Sequence, residues 1–248
     1  MDNEFIERLS AEESRAEKYP AEKLALSKQV KCRLPRYYRY LKELLEKNNF
    51  RISSGKLAKL MGLTASQVRQ DLNCFGGCGQ QGYGYNVKHL FAEISEMLGV
   101  NEKFNAILIG AGNLGRAMAD GSLFLSRGVN LIGVFDRDPA VIGKRAGKHT
   151  VYDAGKLEIF CRADRVDIAV LTLTSSGAEA MAERLVKLGV RGIWNFTSAE
   201  ISEASLSALL DASEEKDASA GVCVQNVYLG DSLMQLCFSL RSLSDKKT

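Results

Sequence analysis

Along the first hundred residues, apolar side chains recur at three-and-four spacing. Beyond that point they gather into short unbroken runs. In "RLPRYYRYLKELLEKNN", Leu34, Tyr37, Tyr38, Leu41, Leu44 and Leu45 fall on one face of a helix starting near Cys32. Pro35 is placed in its first turn, where a missing N–H is tolerated. "RISSGKLAKLMGL" predicts a short helix through Leu60, capped by Ser53 or Ser54 and stopped by Gly62. "TASQVRQDLNCF" predicts a third helix capped by Thr64, with Gln67 where a capping box needs it and Val68, Leu72 and Phe75 as its buried stripe. Three short helices with a tight turn between the last two make a helix-turn-helix pattern, whose second helix usually enters the major groove.

Glycines 76, 77, 79, 82 and 84 then alternate with polar residues and with Tyr83 and Tyr85, which predicts a glycine-hinged wing from Gly76 to Tyr85. "NVKHLFAEISEMLG" closes the unit as a helix capped by Asn86, with Val87, Leu90, Phe91, Ile94 and Leu98 inside. From Asn101 the texture changes. "FNAILIG", "VNLIGVFD", "VDIAVLTL", "GIWNF" and "AGVCVQNV" read as strands, alternating with helices in "NLGRAMADGSLFLSRG" and "SGAEAMAERLVKLG". Such alternation predicts an α/β domain with a parallel sheet. "YLGDSLMQLCFSLRSL" is a terminal amphipathic helix whose apolar stripe needs a docking surface. The expected organisation is an arm over 1–28, a winged helix-turn-helix domain over 29–100, a Rossmann-type domain over 101–226, and a terminal helix and tail over 227–248.

Charge sharpens this division. Between Gln29 and Leu90 there are eleven Lys/Arg against three Asp/Glu, a net of +8 within a chain of +3, which leaves −5 for the remainder. A basic segment on an acidic remainder points to one part that meets a polyanion. A solvated basic surface is the alternative that charge alone leaves open. The chain is charged from its second residue, and no apolar run reaches bilayer-spanning length. Its six cysteines are scattered, which fits reduced thiols in a cytoplasm, and without a bilayer-spanning run no membrane partner is expected.

In "IGAGNLGR", Gly110, Gly112 and Gly115 have G-x-G-x-x-G spacing between a predicted strand and a predicted helix, and Asp136 ends the next strand 21 residues after Gly115. That context is the dinucleotide-binding fingerprint: a tight turn, a close phosphate approach, and close helix–strand packing. The helix N-terminus offers N–H groups to the pyrophosphate. Asp136 would accept from both ribose hydroxyls and repel a 2′-phosphate, favouring NAD+/NADH over the phosphorylated cofactor, although Arg137 is adjacent. A dehydrogenase would also need an acid or base. The chain has only His89 and His149, both placed as surface or capping residues, so no catalytic residue is assigned. Cys74 and Cys78 lack a partner cluster for zinc, and no metal site is assigned. A regulatory disulfide and plain packing stay open for them.

The motifs "RLPRYYRYL", "RISSGKLAKLMGLTASQVRQDL", "GYGYNV", "IGAGNLGRA", "FDRDPAVIGK", "RLVKLGVRGIWNF" and "QNV" together resemble the Rex family of redox-sensing bacterial repressors, from about Arg33 to Leu240. The resemblance implies a homodimer that binds a palindromic operator. NAD+ permits binding, and NADH closes the dimer and releases the DNA. It implies a terminal helix swapped onto the partner. It places Gly110, Ala111, Gly112, Asn113, Leu114, Gly115, Asp136, Arg137, Thr172, Asn195 and Phe196 at the cofactor. It places Ser53, Ser54, Thr64, Ser66, Gln67, Arg69, Gln70, Asn73, Gln81 and Tyr83 at DNA, with Arg69 and Asp71 keeping the recognition-helix pattern. Gln70 and Gln81 stand where the family carries cations. Of three switch positions, Arg39 keeps the family's Arg, whereas Gly121 and Tyr228 replace a Tyr and an Asp. Thr174 stands where the family often has Pro. These departures favour, as alternatives, an altered effector response or NAD as a structural cofactor. An NAD-dependent oxidoreductase is the remaining rival.

Overall fold

This computed structural model describes residues 26–75, 83–211 and 221–244. They belong to two compact units, divided between Asn101 and Glu102.

The first unit contains α1 (Lys28–Glu46), β1 (Arg51–Ile52), α2 (Ser54–Met61), α3 (Ala65–Cys74), β2 (Tyr85–Asn86) and α4 (Val87–Met97). α1 starts earlier than the spacing predicts. The Ser27 hydroxyl accepts from the Val30 N–H at 3.4 Å, and buried Val30 extends the apolar stripe by a turn. Pro35 therefore sits in the helix interior, not its first turn. It is exposed, so water can reach the carbonyl that its missing N–H leaves open. The expected caps form at Ser53, Thr64 and Asn86, and Gly62 ends α2 in the left-handed region at φ 63°. Thr64 and Gln67 make the reciprocal capping box. The described end of the wing pairs with residues ahead of α2, Ile52 standing opposite Tyr85, so Arg51–Ile52 forms a short strand that the sequence reading did not assign. Gly84 is required beside this pairing: a Cβ there would lie 2.6 Å from the Ile52 carbonyl oxygen. Gly76, Gly77, Cys78, Gly79, Gln81 and Gly82 lie outside the described residues. Leu34, Tyr37, Leu41, Leu57, Val68 and Leu72 are among the residues of one core.

The second unit runs β3 (Phe104–Ile109), α5 (Asn113–Met118), α6 (Ser122–Leu125), β4 (Val129–Asp136), β5 (Arg145–Ala146), β6 (His149–Asp153), α7 (Leu157–Ala163), β7 (Ile168–Leu171), α8 (Ala178–Lys187), β8 (Gly192–Asn195), α9 (Glu203–Asp211), β9 (Cys223–Asn226) and α10 (Leu229–Ser244). Among the described residues its sheet has the order β5-β6-β4-β3-β7-β8-β9. Every neighbouring pair is parallel except β5–β6. Without the short β5 edge, this is the doubly wound 3-2-1-4-5-6 order, whose strand direction of travel reverses between β3 and β7. Separate apolar clusters pack around the sheet, one including Ile107, Phe135 and Leu185, the other Leu108, Val134 and Val170.

Three features depart from the sequence expectation. The helix expected across "NLGRAMADGSLFLSRG" is two helices, because Gly121 adopts φ 83° and breaks the run. His149 begins β6 where a loop was expected, and that strand buries only Val151, too sparse an apolar pattern to announce itself. The short helices α7 and α9 also had no predicted counterpart.

The capping box gives a direct test. Thr64→Ala removes the acceptor for the Gln67 N–H and is expected to cost about 1 kcal/mol. The drop should appear in the denaturation midpoint of the first unit without a change in m-value.

Candidate functional site

α3 places Ser66, Arg69, Gln70 and Asn73 at i, i+3, i+4 and i+7, and all four are exposed. At 100° per residue they form one stripe. Val68, Asp71, Leu72 and Phe75 occupy the opposite face and are buried. The exposed stripe is polar and carries one cation. Arg69 donates to the Ser54 hydroxyl at 3.4 Å. Ser53, Thr64 and Gln67 spend side-chain groups on helix caps. Tyr83 is 71% exposed, with the Arg51 guanidinium 5.9 Å from its ring centre. Gln81 lies outside the described residues.

Asp71 does not share the outward face with Arg69. Only 2% exposed, it accepts two hydrogen bonds from Arg33, each 2.7 Å, and one from the Tyr37 hydroxyl at 2.9 Å. A buried carboxylate is tolerated only when paired and hydrogen-bonded, and this one is. The same contacts explain two titration shifts. The hydrogen bond to Asp71 raises Arg33 further, and burial followed by the Asp71 bond pushes the Tyr37 phenol well above its usual range. Tyr37 also meets Phe75 edge-on at 5.7 Å, and Arg36 donates to the Met61 carbonyl at the end of α2. One face of α1 thus holds both helices of the helix-turn-helix. Composition alone gave no signal for the clamp, since Arg33 and Asp71 are 38 residues apart.

In the second unit a cavity of about 350 Å³ opens at the carboxyl ends of β3 and β7, where the strand order reverses. Doubly wound folds bind ligands at this point. Gly110, Gly112, Asp136, Arg137 and Thr172, five of the residues expected at the cofactor, line it, as does Thr174, noted above as a departure from the family, together with Ile109, Ala154, Leu173 and Met181, which the sequence did not single out. Gly110 takes φ 103°, and a Cβ there would strike the Thr172 carbonyl at 2.8 Å. A Cβ on Gly115 would lie 1.9 Å from the Gly110 carbonyl oxygen, so the helix can approach the strand only as glycine. Gly112 is different. Its φ suits any residue, and a Cβ would meet no protein atom. Its lack of a side chain leaves cavity space that the protein itself does not fill, as an anion approaching the first turn of α5 would need.

Asp136 has a role within the protein itself. Its carboxylate accepts the Ala111 N–H at 2.6 Å and the Asp138 N–H at 2.9 Å, fixing the glycine loop. The Ala111 N–H is therefore not offered to a ligand. A carboxylate has about four lone-pair directions, so acceptor capacity remains for a diol. Thr172 donates to the Gly110 carbonyl at 2.7 Å. Asn113 accepts from Arg116, and Leu114 is exposed; neither lines the cavity. Asn195 and Phe196 also stand away from it. Asn195 is fully buried with its amide engaged inside the protein, and Phe196 packs on Trp194 at 4.7 Å.

The expected switch positions fall in both units. Arg39 is exposed, 5.5 Å from the Tyr40 ring centre. Gly121 is the helix break described above, and Tyr228 directly precedes α10. His89 is exposed on α4, and His149 is held below its ordinary range by partial burial and by Arg145 and Lys148.

Comparison with known proteins places both units. Residues 25–73 match the family described as putative DNA-binding protein N-terminus, and residues 101–199 match CoA binding domain. The redox-sensing transcriptional repressor Rex of Clostridioides difficile (strain 630) is 44% identical over 216 residues, covering 87% of this chain and 96% of that protein. The repressor of the same name from Caldanaerobacter subterraneus subsp. tengcongensis is 43% identical, covering 89% of this chain and 92% of that protein. Among solved structures, RSP in complex with beta-NAD+ and operator DNA superposes with a TM-score of 0.77 at 41% identity, covering 90% of this chain and 95% of that one. RSP in complex with beta-NADH gives 0.75 at 38%, covering 90% and 99%.

Removing the buried carboxylate should disorganise the DNA-facing unit. Asp71→Ala leaves the Arg33 charge and the Tyr37 hydroxyl without their partner and is expected to cost about 3–5 kcal/mol. The measurement is denaturant unfolding followed in the first unit. A loss below about 1 kcal/mol would show that α3 is held by its apolar stripe alone.

Proposed function

The chain belongs to the Rex family of redox-sensing transcriptional repressors, and from that premise we propose how its two units act together. It is a DNA-binding repressor, not an enzyme, and it senses the balance of NADH and NAD+. The carrying observation is that the relatives match across both units, 87% of the chain, with a polar recognition stripe in one and a dinucleotide cleft in the other.

The stripe Ser66, Arg69, Gln70 and Asn73 reads base edges in the major groove, with Arg69 the strongest single reader because a guanidinium grips guanine through two hydrogen bonds. Ser53, Ser54, Thr64 and Gln67 lie at helix N-termini suited to phosphate contacts. Tyr83 belongs to the wing. NAD+ or NADH occupies the cleft with its pyrophosphate over Gly112 and the start of α5. Asp136 accepts from the ribose hydroxyls, and Thr172 and Thr174 lie toward the nicotinamide.

The operator is palindromic and the protein a homodimer. α10 supports the dimer. Leu229, Leu233, Leu236 and Leu243 share one face of it, while Met234 and Phe238 lie on the opposite face, and all six are 55–74% exposed. A helix apolar on two opposite faces suits insertion between two surfaces. A second subunit supplies both if α10 is swapped onto it. Effector control is then a population shift: NADH need only favour the state whose recognition helices no longer fit two half-sites at once. A tenfold change in DNA affinity takes about 1.4 kcal/mol of coupling.

One observation supports a second reading, the same repressor with an altered effector response. Gly121 and Tyr228 supply neither of the side chains that two of the three family switch positions carry.

Three measurements test these assignments. Operator affinity should be weaker with NADH than with NAD+, by tenfold or more; equal affinities would reject redox sensing and leave DNA binding standing. Arg69→Ala should weaken operator binding by about 1–3 kcal/mol, and wild-type affinity would remove Arg69 from the interface. By calorimetry, NADH should bind more tightly than NADPH, a preference that Asp136→Ala should erase.

A further inference from the structure

Between the cleft and α10 lies a pair of amides, Asn195 buried and Asn226 half-buried, that neither the DNA reading nor the cofactor reading uses. β8 and β9 are parallel, and their last paired residues are Asn195 and Asn226. The Asn195 Nδ2 donates to the Asn226 Oδ1 at 2.8 Å and to the Ala199 carbonyl at 2.7 Å. Its Oδ1 accepts from the Thr197 N–H at 3.0 Å and the Thr197 hydroxyl at 2.7 Å. Both amide hydrogens and both acceptor directions are thus engaged. The Asn226 Oδ1 also accepts the Ile201 N–H at 3.3 Å, and its Nδ2 donates to the Ile201 carbonyl at 3.0 Å. The chain between β8 and α9 is folded around these two side chains.

The pair sits at a junction. Below it, the Phe196 N–H donates to the Leu171 carbonyl at the end of β7, and the next residue, Thr172, lines the cleft and holds the Gly110 carbonyl. Above it, the Val227 N–H donates to the Asn195 carbonyl at 2.8 Å, and α10 begins two residues later. An unbroken series of hydrogen bonds and peptide links therefore runs from the glycine loop to the base of α10. No apolar pair could replace it in kind, because amides hold direction as well as distance, and in this interior an amide that loses its partner is costly.

We propose that Asn226, held by Asn195, is a positioning residue that ties the start of α10 to the cofactor end of the sheet, so that occupancy of the cleft is felt at the terminal helix. This rests on the redox-sensing reading given above. Asn226 does not line the cavity and belongs to a different unit from the recognition stripe, so its effect falls on the coupling between them.

The test uses the full chain as wild type, Asn226→Ala and the milder Asn226→Ser. NADH affinity is measured first, then operator affinity under saturating NAD+ and saturating NADH. The expected result is NADH affinity within about threefold of wild type, with the NADH-to-NAD+ ratio of operator dissociation constants reduced about tenfold or brought to one. General loosening would weaken both operator affinities alike and leave the ratio unchanged. An unchanged ratio in a variant that melts cooperatively overturns the proposal. Hydrogen exchange across residues 227–244, with and without NADH, supplies a second reading in the variant that folds. Loss of a wild-type NADH-dependent change supports the assignment. Its survival in the variant, or its absence in wild type, overturns it. A wild-type chain whose operator affinity ignores the cofactor refutes redox sensing instead, and the exchange result still decides the role of Asn226.

Discussion

The orientation of α3 rests on one buried carboxylate. Asp71 can leave water only with the Arg33 fork and the Tyr37 hydroxyl in place, and that requirement fixes the rotation of the helix about its axis. Apolar packing of Val68, Leu72 and Phe75 decides which half of α3 faces inward. The directional bonds to Asp71 narrow that to one angle. Ser66, Arg69, Gln70 and Asn73 then have no choice but to face outward together. A surface that reads base edges needs this angular definition, since a bidentate contact fails when its donor is misdirected.

The second unit meets a different constraint, the crowding of three backbones. β3 ends between β4 and β7, Gly110 passes against Thr172, and Gly115 lets α5 lie on the turn. Asp136 closes the arrangement by accepting the Ala111 N–H. A residue expected to serve only the ligand therefore also builds the loop that receives it. Gly112 alone of these glycines is not demanded by the protein's own packing, since a Cβ there would meet no protein atom.

The cofactor and the DNA belong to separate units, so a signal between them needs an element that both can bias. α10 suits that part because its apolar residues are left exposed by the fold that carries it. The amide pair beneath it gives the helix a defined starting direction. Family membership supplies the logic of the switch. Gly121, a left-handed helix break, and Tyr228 stand at two positions that the family resemblance expected to take part in it.

Much of this was legible in the chain itself. Caps at Ser53, Thr64 and Asn86, the stop at Gly62, the strand–glycine–helix order and the acid at Asp136 are local signals, each set by a few consecutive residues. Local signals also misled. Pro35 suggested a helix start that Ser27 and Val30 moved upstream, and β6 hid behind a single buried valine. Asn195 shows the deeper limit. The family resemblance placed it at the cofactor, and in the fold its amide is engaged by a partner 31 residues away in sequence. Asp71 was likewise grouped with Arg69 until Arg33 drew it inside. By itself the sequence determined the longer elements, their order and the chemistry available to them, because those follow from periodicity and from neighbours along the chain. Only the tertiary structure decided which polar side chains face a ligand and which hold the protein together, because that choice depends on partners that folding alone brings within hydrogen-bonding distance.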